Sequence, residues 1–244
     1  MAARSYLDVP FADKDAAKAA GARWDPTAKR WYAPRPGMPA LAAWAPRPEL
    51  PELLPGEDRT FGDGLFVDLV PSSCWFTNVR SAVDHREWDR IRRMVYGRAG
   101  QRCEACGAGR NPDGRRWLEA HERWTYLRAQ PSGRLVQRLV RLVCLCTSCH
   151  HATHFGHAQV TGQEHEALAH LCHVNGWTEQ QAWEHVDAAA AKWWARSQHV
   201  WELDLSMLTD AGITLAPAPQ ARDRVAAAEA GLRAVQRTGR GGEA

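Results

Sequence analysis

The chain has no run of the ~18 unbroken apolar residues that a membrane helix needs, and its N-terminus carries no apolar core of the secretory-signal kind. Both absences point to a cytoplasmic protein with no membrane contact. In a reducing compartment its seven cysteines stay thiols, which favours metal ligation over a disulfide framework. Lysine is scarce, since 27 of the 31 basic residues are arginine, and the net charge of +3 implies little by itself. The distribution says more. Residues 84–143 hold 14 arginines and 7 acids, a balance of +7, which leaves −4 for the rest. A basic block of that kind suits a polyanion, most simply nucleic acid, although many of these arginines could equally be solvated. The 244 residues suffice for one ordinary domain and a second, small one.

Against that background two cysteine pairs stand out, Cys103-x-x-Cys106 and Cys146-x-x-Cys149, separated by residues 107–145. One such pair is a weak signal. Two at this spacing predict a single tetrahedral zinc site, because each pair supplies two thiolates and Zn²⁺ takes four. Cys74, Cys144 and Cys172 have no paired spacing and read as small buried apolar residues. His150 follows the second pair and His154 lies four residues on, so one helix would place both imidazoles on one face, where they can chelate a divalent metal. Between the pairs runs a strand-like segment, Trp117 to Glu122, that carries His121.

Along the chain, residues 1–46 form a separate small αβ unit. A strand is expected at Tyr6–Pro10, a helix at Lys14–Ala20 stopped by Gly21, and a second strand at Lys29–Pro34. Its Val-Pro-Phe, Ala-Lys-Ala-Ala-Gly-Ala-Arg-Trp-Asp and Lys-Arg-Trp-Tyr pattern resembles a small domain of uncharacterised function, found appended to plasmid-transfer primases and other DNA-processing proteins. That resemblance implies a DNA-handling context and no reaction. Trp24, Trp31 and Tyr32 suit either the core of so small a unit or stacking on bases. Prolines 46, 48, 51 and 55 mark 47–60 as a linker. Residues 61–206 would form the main domain. A strand is expected at Gly64–Pro71 and a helix at Asp84–Arg98, with Arg86, Arg90 and Arg93 on one face. Further helices are expected at Glu164–Val174 and Thr178–Ala195, and a strand at Val200–Leu205. Trp177, Trp183, Trp193 and Trp194 read as packing the core or covering the zinc domain, and His151, His157, His165, His170, His173, His185 and His199 as structural or exposed. Residues 207–244 read as a tail, with one helix at Arg222–Arg237 and a disordered glycine-rich end at 239–242.

Residues 84–157 resemble the HNH, or ββα-metal, nucleases: a basic helix, Gly-x-x-Cys-x-x-Cys, a strand histidine, then Leu-Cys-x-x-Cys-His. The resemblance implies an α+β fold with a zinc-stapled ββα-metal core and flanking helices. It implies a DNA endonuclease in which His121 is the general base and His150 and His154 hold a catalytic Mg²⁺, Mn²⁺ or Zn²⁺ ion. Arg123 or Arg141 would add positive charge at the phosphate, and Arg86, Arg90, Arg93 and Arg123 would bind nucleic acid. The chain departs from the pattern twice. Ala120 stands where an acid or histidine usually binds metal, and the middle asparagine is missing, its place falling near Arg141. Glu119 and Glu122 are the substitutes at hand, on opposite faces of the strand. Other readings therefore stay open: a zinc-containing nucleic-acid-binding module without cleavage, or a zinc-scaffolded protein-interaction domain. Likewise His121 could be a packed strand histidine, and His150 or His154 could belong to the structural zinc.

Overall fold

The computed structural model describes residues 4–111, 113 and 116–216. The helix expected at 222–237 and the glycine-rich end lie outside them. The chain divides into two compact units, Met1–Glu49 and Leu50–Ala244. The fold is mixed α+β, with one three-stranded sheet in each unit.

In the smaller unit β1 (Ser5–Leu7) and β2 (Arg23–Asp25) flank β3 (Arg30–Ala33), both antiparallel to it. Helix α1 (Lys14–Ala19) connects β1 to β2. Its chain turns back at Gly21, whose φ of 97° is costly for any side chain. Leu7, Ala17, Ala22 and Leu41 make the core, and Trp31 and Trp44 pack on it. Asp25 ties the strands together: Tyr6 and Arg4 donate to its carboxylate, as do the backbone N–H groups of Thr27 and Ala28.

The larger unit is organised by a long hairpin, β4 (Leu118–Arg128) and β5 (Leu135–Cys146), with β6 (Glu202–Asp204) parallel to the outer end of β5. Residues 142–146 of β5 are an unbroken apolar run buried on both faces, as expected of a central strand with elements packed on either side. A bulge at Arg123/Trp124 shifts the register from Arg123↔Arg141 to Trp124↔Leu139. Helix α2 (Val79–Ala82) precedes α3 (His85–Arg98), whose cap is Asp84: its carboxylate accepts from the N–H groups of Arg86 and Glu87. From β5 the chain passes directly into α4 (Thr147–Thr153), then α5 (Phe155–Val160), α6 (Glu164–Asn175), α7 (Glu179–Ser197) and α8 (Ser206–Thr209). Gly176, left-handed at φ 67°, ends α6, and a Thr178/Gln181 capping box starts α7. Among the described residues no helix is long and apolar enough to cross a membrane.

Four expectations need correction here. Residues 47–60 are a linker only in their first part. Leu50 and Leu54 enter the core of the larger unit, and Glu57 pairs with Arg98 at 2.6 Å with both side chains buried. Residues 64–71 are not a strand, for they find no ladder partner among the described residues, and the N–H of Asp68 donates instead to the Thr153 carbonyl at 3.0 Å. The main domain does not stop at 206, because Met207, Leu208 and Ile213 are buried and Leu215 bridges to Val83. Trp194 is 65% exposed and so is no core residue, whereas Trp177 and Trp183 pack against the core.

Candidate metal centres

The two cysteine pairs meet. Cys103 lies in a tight turn in which the Gly107 N–H donates to the Cys103 carbonyl (2.8 Å) and the Cys103 N–H to that of Ala108 (2.9 Å). Gly107 has φ 72°, the left-handed geometry this turn requires. Glu104 docks the turn on the edge of β5, donating its N–H to the Cys144 carbonyl (2.8 Å) while its carboxylate accepts the Cys144 N–H (2.6 Å). Cys146 ends β5 and Cys149 sits in the first turn of α4. The four sulfurs lie within 4.8 Å of one another, with Cys106 and Cys146 at 3.7 Å. Sulfurs around one tetrahedral zinc at ~2.3 Å are roughly 3.8 Å apart, so the set fits that ion. Without metal, S–H donation from Cys146 and Cys149 pulls the Cys103 thiol far down, while the thiols that donate are pushed up, Cys146 to about 11. Zinc binding must therefore displace protons. Cys74 and Cys144 are buried, as expected; Cys172 is half-buried.

The same hairpin and helix gather three imidazoles. Antiparallel pairing puts Glu119, His121 and Arg123 of β4 on one face with Leu145, Val143 and Arg141 of β5. His150 comes from α4. His154 is not inside that helix but caps it, with φ −89° and ψ 49°, although its N–H still donates to the His150 carbonyl at 3.0 Å. Ring centroids are 5.2 Å apart for His121–His150, 4.8 Å for His121–His154 and 4.6 Å for His150–His154. One ring nitrogen of each lies within 4.8 Å of the others, close enough to share an ion. Burial pushes all three down: His150 to about 3, His154 to about 4, and His121 well below the usual range. The neighbouring imidazoles and Arg123 add to this. All three are neutral at pH 7, the form that ligates metal or accepts a proton. His121 is 3% exposed, and neither of its ring nitrogens has a hydrogen-bond partner among the described residues. Such a group fits an absent ion or substrate better than a packed core.

The remaining candidates divide. Glu119 is drawn to the site, its carboxylate 3.1 Å from His150 Nδ1. Glu122 faces away and accepts the Val79 N–H at 3.1 Å; it is no metal ligand here. Arg123 is not a surface contact. It is fully buried, stacked 3.9 Å over Phe66 and 3.8 Å from Asp68, with no nitrogen hydrogen-bonded among the described residues. Burial pulls it down to about 10. Arg141 is also buried, but it donates to the Phe61 carbonyl and to Glu104. On α3, Arg90 pairs with Glu87 at 2.7 Å, Arg93 is exposed, and Arg86 is half-buried.

Two residues escaped the sequence reading. His170 of α6 places Nε2 3.1 Å from Cys149 Sγ, which makes it an outer partner of the thiolate site. Asp68 faces Arg123. Nothing in the local sequence marks either, since both depend on packing across the fold.

Residues 4–46 match the family described as a domain of unknown function, DUF5710. The chain is similar to two proteins from Escherichia coli, each named DNA primase TraC. One is 37% identical over 98 residues (38% of this chain, 6% of that protein); the other is 52% identical over 44 residues (18% of this chain, 4% of that protein). The chain thus spans only a small part of these relatives' length. No solved structure matches it.

Proposed function

We propose that the larger unit is a metal-dependent endonuclease of the HNH, ββα-metal kind, hydrolysing DNA phosphodiester bonds. One observation carries this reading: the neutral imidazoles of His121, His150 and His154 converge beside a buried guanidinium, on a hairpin and helix joined by the cysteine site. The excess of arginine over acid in residues 84–143 and the DNA primases among the relatives support DNA as the polyanion.

His150 and His154 would hold a divalent cation, with Glu119 fixing the ring of His150. The ion would stabilise charge building on the phosphate and on the leaving oxygen. His121, neutral and with no hydrogen-bond partner among the described residues, accepts the proton of the attacking water. Arg123 is buried beside the imidazoles, where its charge would add to that of the ion without touching the phosphate. Arg141 has no part in this chemistry, because Glu104 and the Phe61 carbonyl already hold it.

A second role for His121, as third ligand, is favoured by the absence, among the described residues, of any hydrogen bond fixing its tautomer. A non-cleaving DNA-binding module is favoured by Ala120 and by Arg141 near the usual place of asparagine. Plasmid nicking with added Mg²⁺, Mn²⁺ or Zn²⁺ separates the three. For a general base, His121→Ala lowers cleavage ~10²-fold or more while metal content is kept. For a ligand, cleavage and the second metal are lost together. Wild-type protein that cuts under none of these ions, yet binds DNA in a salt-sensitive way, is the binding module.

A further inference from the structure

A cavity of about 260 Å³ lies between residues 61–69 and α7. Phe61, Phe66 and Trp124 line it, together with Asp68, Lys192 and Arg196. Its walls are fastened. The Val67 N–H donates to His185 Nε2 at 2.9 Å, Asn175 Nδ2 donates to the Leu65 carbonyl at 3.0 Å, and the Asp68 N–H donates to the carbonyl of Thr153, the neighbour of His154. The Asp68 side chain is 14% exposed and takes no hydrogen bond among the described residues; its nearest cation is Arg123, at 3.8 Å. A buried carboxylate without donors is costly. It calls for a ligand that brings them.

The charges narrow that ligand. A metal ion or a guanidinium would meet Lys192 and Arg196, and a simple anion would meet Asp68. What fits is a neutral, flat group with N–H donors for Asp68, linked to an anion for Lys192 and Arg196. A carboxylate accepts two parallel N–H groups best. Among nucleobases guanine alone presents two adjacent donors, N1–H and N2–H. Adenine and cytosine set a ring-nitrogen lone pair beside their amino group, and thymine flanks its N–H with two carbonyls. Aromatic walls suit the flat faces of a base.

We propose that this cavity binds a guanine base, with the carboxylate of Asp68 accepting N1–H and N2–H and its phosphate lying at Lys192 and Arg196. The assignment of the base to a cleavable strand rests on the nuclease reading; binding itself does not. Titration calorimetry of the full, zinc-loaded chain with dGMP, dAMP, dCMP and dTMP tests it. The expected result is dGMP at least ~10-fold tighter than the other three, since a charge-assisted pair is at stake. dIMP, which lacks N2–H, falls between. Ala188→Phe, at an exposed position that lines the cavity, abolishes dGMP binding without lowering the melting temperature. Asp68→Asn removes the preference for guanine. A thymine oligonucleotide with one central guanine distinguishes the sources: tighter than dGMP, it assigns the cavity to a strand, and weaker, to a free nucleotide. His121→Ala keeps dGMP binding, so loss of cleavage and loss of this site are told apart. Equal binding of all four nucleotides, no binding, or dGMP binding undiminished by Ala188→Phe overturns the proposal.

Discussion

The carboxylate of Glu119 lies 3.1 Å from Nδ1 of His150. That contact joins the hairpin to the following helix at the point where three imidazoles meet. Glu119→Gln, which weakens the acceptor, is expected to lower divalent-metal affinity at the histidine site by about 10-fold, and Glu119→Ala by up to ~100-fold. Metal titration of protein whose cysteine site is already zinc-loaded measures this. Unchanged affinity would mean the contact is incidental.

At the cysteine site, X-ray absorption of the zinc-loaded protein is expected to show four sulfurs at ~2.3 Å. A mixed sulfur and nitrogen shell would instead place His150 or His170 on the ion. Chelation at pH 7 should loosen residues 103–154 as seen by amide exchange, and zinc return should release protons, because Cys146 and Cys149 hold theirs in the metal-free state.

The Glu57–Arg98 pair should be the most sensitive polar contact of the larger core. Arg98 donates twice to Glu57 and once to the Leu142 carbonyl, while Glu57 accepts from Leu54 and Leu142. Removing one partner leaves a buried charge, so Glu57→Ala should cost about 3–5 kcal/mol in denaturant unfolding. A Glu57→Gln, Arg98→Met double variant should cost clearly less than Glu57→Ala.

Stability against pH should show two opposed contributions. Burial raises Glu122 from 4.5 to about 7, so its contribution is complete below pH 4.5 and is lost as pH rises to about 7. His150 and His154 move the other way, from 6.5 to about 3 and about 4, and His121 is lowered as well. Their contribution is complete above pH 6.5 and is lost as pH falls toward about 3. With no metal at the histidines, the lowered imidazoles, His170 and His185 among them, outnumber the raised carboxylates Asp68, Glu119 and Glu122, and the melting temperature should rise with pH between about 4.5 and 6.5. Glu122→Gln should make that rise steeper; a slope unchanged by this variant would remove Glu122 from the account.

The cysteine spacing, the capped helix at Asp84, the later helices and the small N-terminal αβ unit were legible in the residues, because ligand spacing, caps and periodicity are local. The convergence of His121 with His150 and His154 was suggested by order along the chain, but the distances come from strand pairing. Other features were decided only in three dimensions. Leu50, Leu54 and Glu57 follow a proline-rich stretch that locally reads as linker, yet a complementary charge on α3 and an apolar surface draw them into the core. Arg123 and Arg141 look like phosphate contacts in a basic segment, but register pairs them and buries both. His170 and Asp68 acquire partners 21 and 55 residues away in sequence. Sequence alone determined which chemistries the chain possesses, because residue type sets ligand softness, charge and hydrogen-bonding capacity. The tertiary structure decided which of those groups meet and which remain unpaired, because that depends on side-chain direction and packing between elements far apart in the chain.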